Sequence, residues 1–439
     1  MRSFVSIAAL AGCILCSAFD TQGQSYAFST LAGLAGQAGF TNGIDGHARL
    51  HEPAGIAVDS SGNIYVADTL NHTIRQLTPS ANGWVVSTLA GLAGATGTND
   101  GPGSSARFFF PYGVAVDSAG TVYVADTYNQ TIRTLTSTGT NWWVNTIAGS
   151  PGARGSANGV GGAASFYYPS GLAVDNAGNL FVADTYNHTI REVSPGAGGW
   201  NVTTPVGLAG APGSADGTNN SAQFNFPYGI AVTGVDQLYV ADTYNSTIRS
   251  VTPSGNDWVV STVAGLHGFA GSADGTNHSA SFEYPFGVAV DTAGNLYVAD
   301  TYNDTIREVT PIGTNWIVRT LGGAPGISGS TDEVGNLALF YQPEGLATDS
   351  SGNLFIADTY NDTIRFGQRG LVLTAIRAGN RLILSWPATA TNYVLETSAV
   401  AGATALWTPA TNGVVQSGNS FFLTNNPTAG AAFFRLHQQ

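Results

Sequence analysis

The chain of 439 residues contains no lysine: its fifteen basic residues are all arginine, and they face 28 acidic residues. The formal net charge is −13 at pH 7. Proteins that bind nucleic acid present a basic face to the phosphates, so we expect no nucleic-acid partner. Acidity often only keeps a protein soluble, and the charge alone therefore names no ligand.

Cysteine is also scarce. The only two cysteines, Cys13 and Cys16, lie in an N-terminal segment with a basic residue, an apolar run and small residues ending at Ala18, which is the pattern of an export signal. We expect residues 1–18 to be a signal peptide and the mature chain to be secreted or held in the cell envelope. A lipid anchor on Cys13 is the less favoured alternative. Cleavage leaves no thiol, which excludes disulfides and cysteine ligands.

Long apolar runs are missing after this segment, so we expect no transmembrane segment. What the chain has in abundance is repetition. The segment Asp-Thr-Leu-Asn-His-Thr-Ile-Arg at residues 68–75 returns five times, always at a step of 58 residues. A fixed period of this size indicates one supersecondary unit repeated in a stack or ring. Positions identical in every copy meet a demand that all copies share, so a single active site must lie where the copies differ.

Each repeat predicts four short strands. In the first copy they cover residues 55–59, 63–67, 73–78 and 84–90, which are rich in Val, Ile, Thr and Trp and are bounded by Gly, Pro, Asn and Asp. Strands that are apolar on both faces need cover on both sides. Radial repetition of a four-stranded sheet, as in a β-propeller, supplies that cover.

The fourth strand gives the number of blades. Its pattern Ser-Thr-Leu-Ala-Gly also occurs at residues 29–33, ahead of the first repeat, whereas the sixth repeat ends without one. We therefore predict an all-β fold: a six-bladed β-propeller over residues 26–370, closed by an N-terminal strand. Closure in this way removes the open edge at the seam. Residues 371–439 lie outside the period, and their short strand patterns predict a small C-terminal β-sandwich.

The repeated pattern Pro-x-Gly-(Ile/Val/Leu)-Ala-Val-Asp, followed by Gly-Asn-(Leu/Ile)-(Tyr/Phe)-Val-Ala-Asp-Thr-x-Asn-x-Thr-Ile-Arg, resembles the NHL repeat. The resemblance covers roughly residues 26–369 and all six copies, and it implies a six-bladed propeller. One copy departs from the pattern at residues 233–236, which affects only the first turn of that repeat. The C-terminal segment is similar to the fibronectin-III-like modules of secreted bacterial proteins.

The repeated Asp and Arg could suggest catalysis, but we interpret them as structural. Each Asp can cap the loop that it begins, and each Arg can reach a carboxylate or carbonyl groups between blades. A pair kept in every blade fits packing better than catalysis. The pairs are Asp68 and Arg75, Asp126 and Arg133, Asp184 and Arg191, Asp242 and Arg249, Asp300 and Arg307, and Asp358 and Arg365.

Two further positions recur in the connection between blades. An Asp or Asn, usually before Gly, is interpreted as a turn with positive φ, and a large apolar residue downstream is interpreted as an anchor in the core. The turn positions are Asn42, Asp100, Asn158, Asp216, Asp274 and Asp332. The anchors are Leu50, Phe108, Phe166, Phe224, Phe282 and Phe340.

If the first strand of each blade runs from top to bottom, the Asp-Thr-x-Asn loop and the long connection lie at the top, where such scaffolds usually place recognition. Aromatic residues gather there, at the third position of that loop and beside the Pro that opens the first strand. The candidate binding residues are Tyr112, Tyr128, Tyr186, Tyr228, Tyr244, Phe286, Tyr302 and Tyr360. Rings near carboxylates suit a glycan or a protein partner, and packing between blades is an equally weighted alternative.

The seven histidines are scattered, and we expect no metal site and no cofactor, although a divalent metal such as calcium in the channel stays open. We therefore predict an exported, monomeric, non-enzymatic binding scaffold for a glycan or protein partner. The alternative is a metal-dependent lyase or hydrolase at the channel mouth, similar to the lactonases or the amidating lyase among six-bladed propellers. Its irregular candidate residues are His51, Glu52, Glu283 and Glu344.

Overall fold

The structure is a computed structural model that describes residues 7–9, 26–139, 141–234, 236–370 and most of 374–438. The gaps in the last range are residues 379–380, 388–392, 399–405, 407, 411–412, 418–419 and 426–431. Apart from Ile7–Ala9, the predicted signal peptide and both cysteines lie outside the described residues. The chain divides into two compact units, one of which is Tyr26–Arg369.

The unit Tyr26–Arg369 is a propeller of six antiparallel sheets, as predicted. The innermost, first strands are Pro53–Val58, Pro111–Val116, Pro169–Val174, Pro227–Val232, Pro285–Val290 and Pro343–Thr348. The second strands are Ile64–Asp68, Val122–Asp126, Leu180–Asp184, Leu238–Asp242, Leu296–Asp300 and Leu354–Asp358. The third strands are Thr73–Ser80, Thr131–Ser137, Thr189–Gly196, Thr247–Ser254, Thr305–Ile312 and Thr363–Arg369. The fourth strands of blades 1 to 5 are Gly83–Gly91, Trp142–Ala148, Gly199–Val206, Asp257–Ala264 and Asn315–Gly322.

The N-terminal strand Tyr26–Gly33 supplies the missing fourth strand of blade 6. It pairs antiparallel with Thr363–Arg369, from Tyr26 opposite Arg369 to Gly33 opposite Thr363. The second strands are buried at every residue, because a neighbouring blade covers each of their faces. The prediction of six blades closed by the leading strand is therefore confirmed.

Glycine lets the first strands approach each other around the axis. A Cβ atom on Gly55 would overlap the backbone carbonyl of Tyr112 in the next blade, and one on Gly345 would overlap that of Ala54 in the first. No larger residue fits this close approach of backbones. The Pro-x-Gly that opens every repeat is therefore a requirement of ring closure.

The long connection between blades differs from the prediction that it lies at the top. It crosses to the outer side of the next blade, where it adds a fifth, two-residue strand to the sheet. These strands are Gly43–Ile44, Gly101–Pro102, Gly159–Val160, Gly217–Thr218 and Gly275–Thr276, and a single bridge between Ala27 and Val334 replaces them in blade 6. The fourth strand would otherwise present an unpaired edge, which explains why the connection descends along it.

Single turns of 3₁₀-helix complete the connections and the top loops. Those in the connections are Asp45–His47, Gly161–Ala163, Asn219–Ser221, Asn277–Ser279 and Gly335–Leu337. Those in the Asp-Thr-x-Asn loops are Thr69–Asn71, Thr127–Asn129, Thr185–Asn187, Thr243–Asn245, Thr301–Asn303 and Thr359–Asn361. At the bottom, Asp59 Oδ1 accepts hydrogen bonds from the N–H groups of Ser61 and Asn63, both at 2.9 Å. In the departing copy, Asp236 takes the positive φ, 60°, that glycine has in the other blades.

The C-terminal residues, together with Ile7–Ala9, form two antiparallel sheets with a common core. One contains Ile7–Ala9, Ala432–Gln438, Tyr393–Ser398 and Thr408–Pro409, and the other Thr374–Ala378, Arg381–Pro387, Ser420–Asn425 and Val414–Ser417. Leu384 and Trp386 from the second sheet share a buried cluster with Leu395 and Phe434 from the first, as expected for a sandwich. Within the part of the chain that the structure describes, no helix is long and apolar enough to cross a membrane.

Candidate functional site

The repeated Asp and Arg form a buried ion pair in every blade. Arg191 Nη1 donates to Asp184 Oδ2 at 2.7 Å, both side chains are fully buried, and the five other pairs lie at 2.6–2.7 Å. Burial raises the pKa of Asp184 to about 6, against the opposing effect of Arg191. The carboxylate also accepts the N–H of Tyr167 and the amide of Asn187, both at 2.8 Å. Both side chains of the pair are fully buried, so neither is accessible to a substrate.

The same Arg holds the connection that precedes its blade. Arg191 donates to the carbonyls of Ser165 and Ala157 and to Asn158 Oδ1, all at 2.9 Å. The Asn or Asp of the connection is therefore an arginine partner in every blade, and Gly43, Gly217 and Gly275 that follow it do not have positive φ. Our turn interpretation was wrong at these three glycines, where the two-residue outer strand begins, whereas Gly101 and Gly159 do have positive φ, at 121° and 154°. The anchor residues, by contrast, are all fully buried.

The rest of the Asp-Thr-x-Asn loop joins each blade to the next. Thr185 Oγ1 donates to the carbonyl of Pro227 at 2.8 Å, and the equivalent bond from Thr359 to Pro53 closes the ring at the same distance. The residue after the Asn is left-handed, with φ between 56° and 62°. In five blades its side chain accepts the N–H of the residue before the next Pro, from Asp362 to Glu52 for example at 2.9 Å.

Those residues before Pro all have φ of 45–49° although none is glycine. They are Glu52, Phe110, Tyr168, Phe226, Tyr284 and Gln342. Bulky residues rarely occupy this region of backbone space, and such strain collects at functional sites. The four aromatic side chains among them lie beside the exposed third residues of neighbouring Asp-Thr-x-Asn loops.

The two kinds of position together build a continuous arc of eight aromatic rings on the top face, which we call the rim. Successive centroids along it lie 4.7–5.1 Å apart. The rim consists of Phe110, Tyr128, Tyr168, Tyr186, Phe226, Tyr244, Tyr284 and Tyr302. Its four loop tyrosines remain 40–50% exposed, so their faces and hydroxyls are accessible. Tyr360 lies beyond the end of the rim and contacts Tyr341 at 5.3 Å.

The other candidate rings lie in the channel. Tyr112, Tyr228 and Phe286 line the space around the axis, with centroids 5.8 Å apart for Tyr112 and Tyr228 and 4.5 Å apart for Tyr228 and Phe286. Glu344 occupies the equivalent position in blade 6 and lines the same space. The candidate binding residues therefore separate into two groups, the rim and what we call the channel mouth: Tyr112, Tyr228, Phe286 and Glu344.

Comparison with known proteins agrees with this architecture. The model of the NHL repeat matches residues 50–77, 108–135, 166–192 and 340–365. The human protein NHL repeat-containing protein 2 is 30% identical over 344 residues, which cover 71% of this chain and 46% of that protein. The unit Tyr26–Arg369 is an NHL-repeat propeller. The chain spans about half the length of the human and chicken relatives that it matches.

Two solved structures from Bacteroides thetaiotaomicron share the fold of the NHL propeller. One, a protein of unknown function, is 19% identical with a TM-score of 0.57, covering 78% of this chain and 75% of that one. The other, an auxiliary nutrient binding protein, is 15% identical with a TM-score of 0.57, covering 79% and 76%. At these identities the likeness is one of fold.

The residues proposed for a metal-dependent reaction are only partly brought together. Burial, with a smaller contribution from the charge of Glu52, raises the pKa of Glu344 to about 7. Burial also raises the pKa of Glu52. Glu283 does not line the channel. Among the described residues of the NHL propeller, no three His, Cys, Asp or Glu side chains are grouped as metal ligands would be.

Sequence reasoning missed two features of the NHL propeller. Phe109, Tyr167 and Tyr341, two residues before the Pro, lie 5.1–5.3 Å from the loop tyrosines and thicken the aromatic surface. The second feature is the acceptor after the Asn of each top loop. Its signal was available, since that position varies among His, Gln, Ser and Asp but is polar in every copy.

Proposed function

We propose that this protein is an exported, non-enzymatic binding scaffold whose rim recognises a glycan or a protein partner. The observation that supports the proposal is the unbroken arc of eight rings. The four loop tyrosines among them are 40–50% exposed. Flat aromatic faces with hydroxyls at their edges match the apolar faces and hydroxyls of sugars and the anchors of protein interfaces. One cation, Arg154, lies over the rings of Tyr167 and Tyr168 at 5.4 and 4.9 Å.

A glycan array with the full-length chain, followed by titration of any ligand found, tests the proposal. Tyr186→Ala and Tyr244→Ala should each weaken binding about tenfold, because stacked aromatic anchors contribute roughly 1–2 kcal/mol. Trp143→Ala is the matched control, since Trp143 is 44% exposed on the outer fourth strand of blade 2. A ligand that binds wild type and both tyrosine variants equally would exclude the rim as its site.

The second candidate function is a metal-dependent lyase or hydrolase at the channel mouth. The partly buried Glu344, with a pKa raised to about 7 by burial, is the observation in its favour, because a general base works best near the operating pH. Elemental analysis of the purified protein tests it. One tightly held zinc or calcium ion per chain would favour the enzyme.

Export rests on the N-terminal sequence. In the full-length chain Ile7–Ala9 pairs with Ala432–Gln438 as an edge strand, and cleavage after Ala18 would remove it. Intact-mass measurement of protein recovered from the envelope or medium should give a chain that begins at Phe19. A recovered chain that retains Met1, or a lipid on Cys13, would contradict this cleavage.

A further inference from the structure

The channel mouth holds residues that the repeat does not require. At the position after the Pro, blades 2, 4 and 5 carry Tyr112, Tyr228 and Phe286, whereas blade 6 carries Glu344. They surround a space of about 60 Å³ for water-sized molecules, enough for several waters or one small head group. Since the other blades carry Ala and Ser at this position, ring closure does not dictate these side chains.

Two polar groups in this space interact mainly with each other. The Tyr112 hydroxyl is buried without a hydrogen bond of normal geometry, and its main polar interaction is with the Glu344 carboxyl. Within the described residues, Glu344 forms no salt bridge, because the arginines of the repeats are held by their own aspartates. Buried polar groups are normally satisfied by protein, water or a ligand.

The chemistry of the lining selects the charge of a ligand. Aromatic faces attract a cation through their quadrupoles, and a desolvated site strengthens this attraction. A carboxylate beside the rings adds a direct Coulombic attraction. An anion would meet Glu344 and Glu52, so the lining disfavours it.

The shape of the channel fixes where the ligand stops. Below the mouth the lining changes to six buried aliphatic side chains, one from each blade, which offer no polar side-chain group to a charge. They are Ile56, Val114, Leu172, Ile230, Val288 and Leu346. A charged head group that enters from the top face is therefore held at the level of Glu344.

We propose that the channel mouth binds a primary ammonium group, with Glu344 as its counter-ion and Tyr112, Tyr228 and Phe286 as its aromatic walls. The ammonium could belong to a small free amine or to a lysine side chain of a protein held on the rim. This site uses none of the rim residues, so it goes beyond the proposed function and can succeed or fail separately from it.

The electrostatics give the site a pH signature. Burial raises the pKa of Glu344 to about 7, the Tyr112 hydroxyl opposes the rise, and Glu52 adds to it. Tyr228 and Tyr360 also interact with Glu344, but they stay neutral below pH 10 because burial raises their own pKa values. Affinity for an ammonium ion should therefore increase between pH 6 and pH 8, as the carboxylate forms.

Titration calorimetry of the full-length chain tests the site, with n-butylammonium and Nα-acetyl-lysine methylamide as probes. Nε-acetylation of the second probe removes its charge and should abolish binding. Glu344→Gln should weaken binding at pH 8 at least tenfold, and Tyr228→Leu several-fold. Glu283→Gln is the matched control, a glutamate of the same face outside the channel, and should bind like wild type.

Several results would overturn the site. They are absence of binding by both amines, equal binding by Glu344→Gln in a protein that melts normally, or equal binding of the acetylated probe. If only n-butylammonium binds, the ligand is a free amine; if the lysine probe also binds, a protein side chain fits. Tyr186→Ala should leave amine binding unchanged, which separates failure of this site from failure of the rim.

Discussion

The top face of the NHL propeller has two sectors that share a backbone and differ in side chains. From blade 2 to blade 5 the residues before Pro are aromatic, and in blades 2 to 4 the uncharged side chains of His72, Gln130 and His188 accept their N–H groups. Where blade 6 meets blade 1, these residues are Gln342 and Glu52, and Asp304 and Asp362 are the acceptors. Because φ is 45–49° in both sectors, the left-handed backbone belongs to the architecture and the side chains are free to specify a ligand.

The largest expected effect tests the shared part of this comparison. Asp184→Ala in the aromatic sector and Asp358→Ala in the acidic sector should each lower the free energy of unfolding by about 3–5 kcal/mol, because each leaves a buried arginine unpaired. Calorimetry should show melting temperatures lower by roughly 10 °C. Asp216→Ala is the control: Asp216 is 51% exposed, and we expect a loss of about 1 kcal/mol or less. Unequal losses for Asp184 and Asp358 would show that the sectors differ in their cores as well.

The second prediction concerns the acidic sector alone. The pKa of Glu344 is about 7 in the folded protein because of burial, above its unfolded value near 4.5. The contribution of protonated Glu344 to the free energy of unfolding is therefore complete below pH 4.5 and is lost as the pH rises through 7. Glu344→Gln should therefore stabilise the protein at pH 8 by about 1–3 kcal/mol and have no effect at pH 4. Denaturant titrations at both pH values measure this, and a variant of equal stability at pH 8 would refute it.

The third prediction separates the sectors by binding. Once a rim ligand is known, Tyr244→Ala in the middle of the arc should weaken its binding about tenfold. Tyr360→Ala, 44% exposed but beyond the arc, should change binding less than threefold, because it lacks a ring at position 342 to pack against. Comparable losses at the two positions would show that the ligand covers the whole top face.

The smallest expected effect tests the backbone. Glu52→Asn replaces a residue of φ 46° by one that tolerates the left-handed region, and should stabilise the propeller by about 0.5 kcal/mol or less. The side chain is absent from the rim, so binding there should stay unchanged. Thermal melts measure the change, and a destabilised variant would indicate that the Glu52 side chain itself stabilises the seam.

The sequence was sufficient to predict the architecture because the same strand and loop pattern recurs in every blade of a propeller. The spare Ser-Thr-Leu-Ala-Gly at residues 29–33 predicts the closing strand, and the Asp and Arg spacing predicts the pairs. Other features depend on geometry that a pattern does not carry. The register shifts between Pro53 and Ile56, and a bulge of this kind breaks the simple alternation of side chains along a strand. The positions of Tyr112 and Tyr228 at the axis, instead of on the rim, could therefore not be read from alternation.

The outer fifth strands were equally hard to predict, since two residues such as Gly101–Pro102 have no strand propensity of their own. They form because a carboxylate or amide just before them is held by a buried arginine, a contact between distant residues. The role of the Asp and Arg that recur in every blade was therefore easier to predict than the role of the residues that differ between blades. The residues that recur in every blade stabilise the shared core, and the residues that differ between blades are the candidates for binding a ligand.

The strand Tyr26–Gly33 has a consequence for how the molecule assembles. Tyr26 donates a hydrogen bond to the carbonyl of Gly352, 326 residues away in sequence. The strand Tyr26–Gly33, which is synthesised before all six repeats, can therefore pair only after blade 6 has been synthesised. Contacts of such separation are slow to form, and until they do, both flanks of the nascent ring stay uncovered. A chain truncated within blade 6 therefore leaves two sheets incomplete: the strand Tyr26–Gly33 has no partner, and blade 6 lacks its outer strand. Proteases should cleave such a chain near its N-terminus as readily as near its C-terminus.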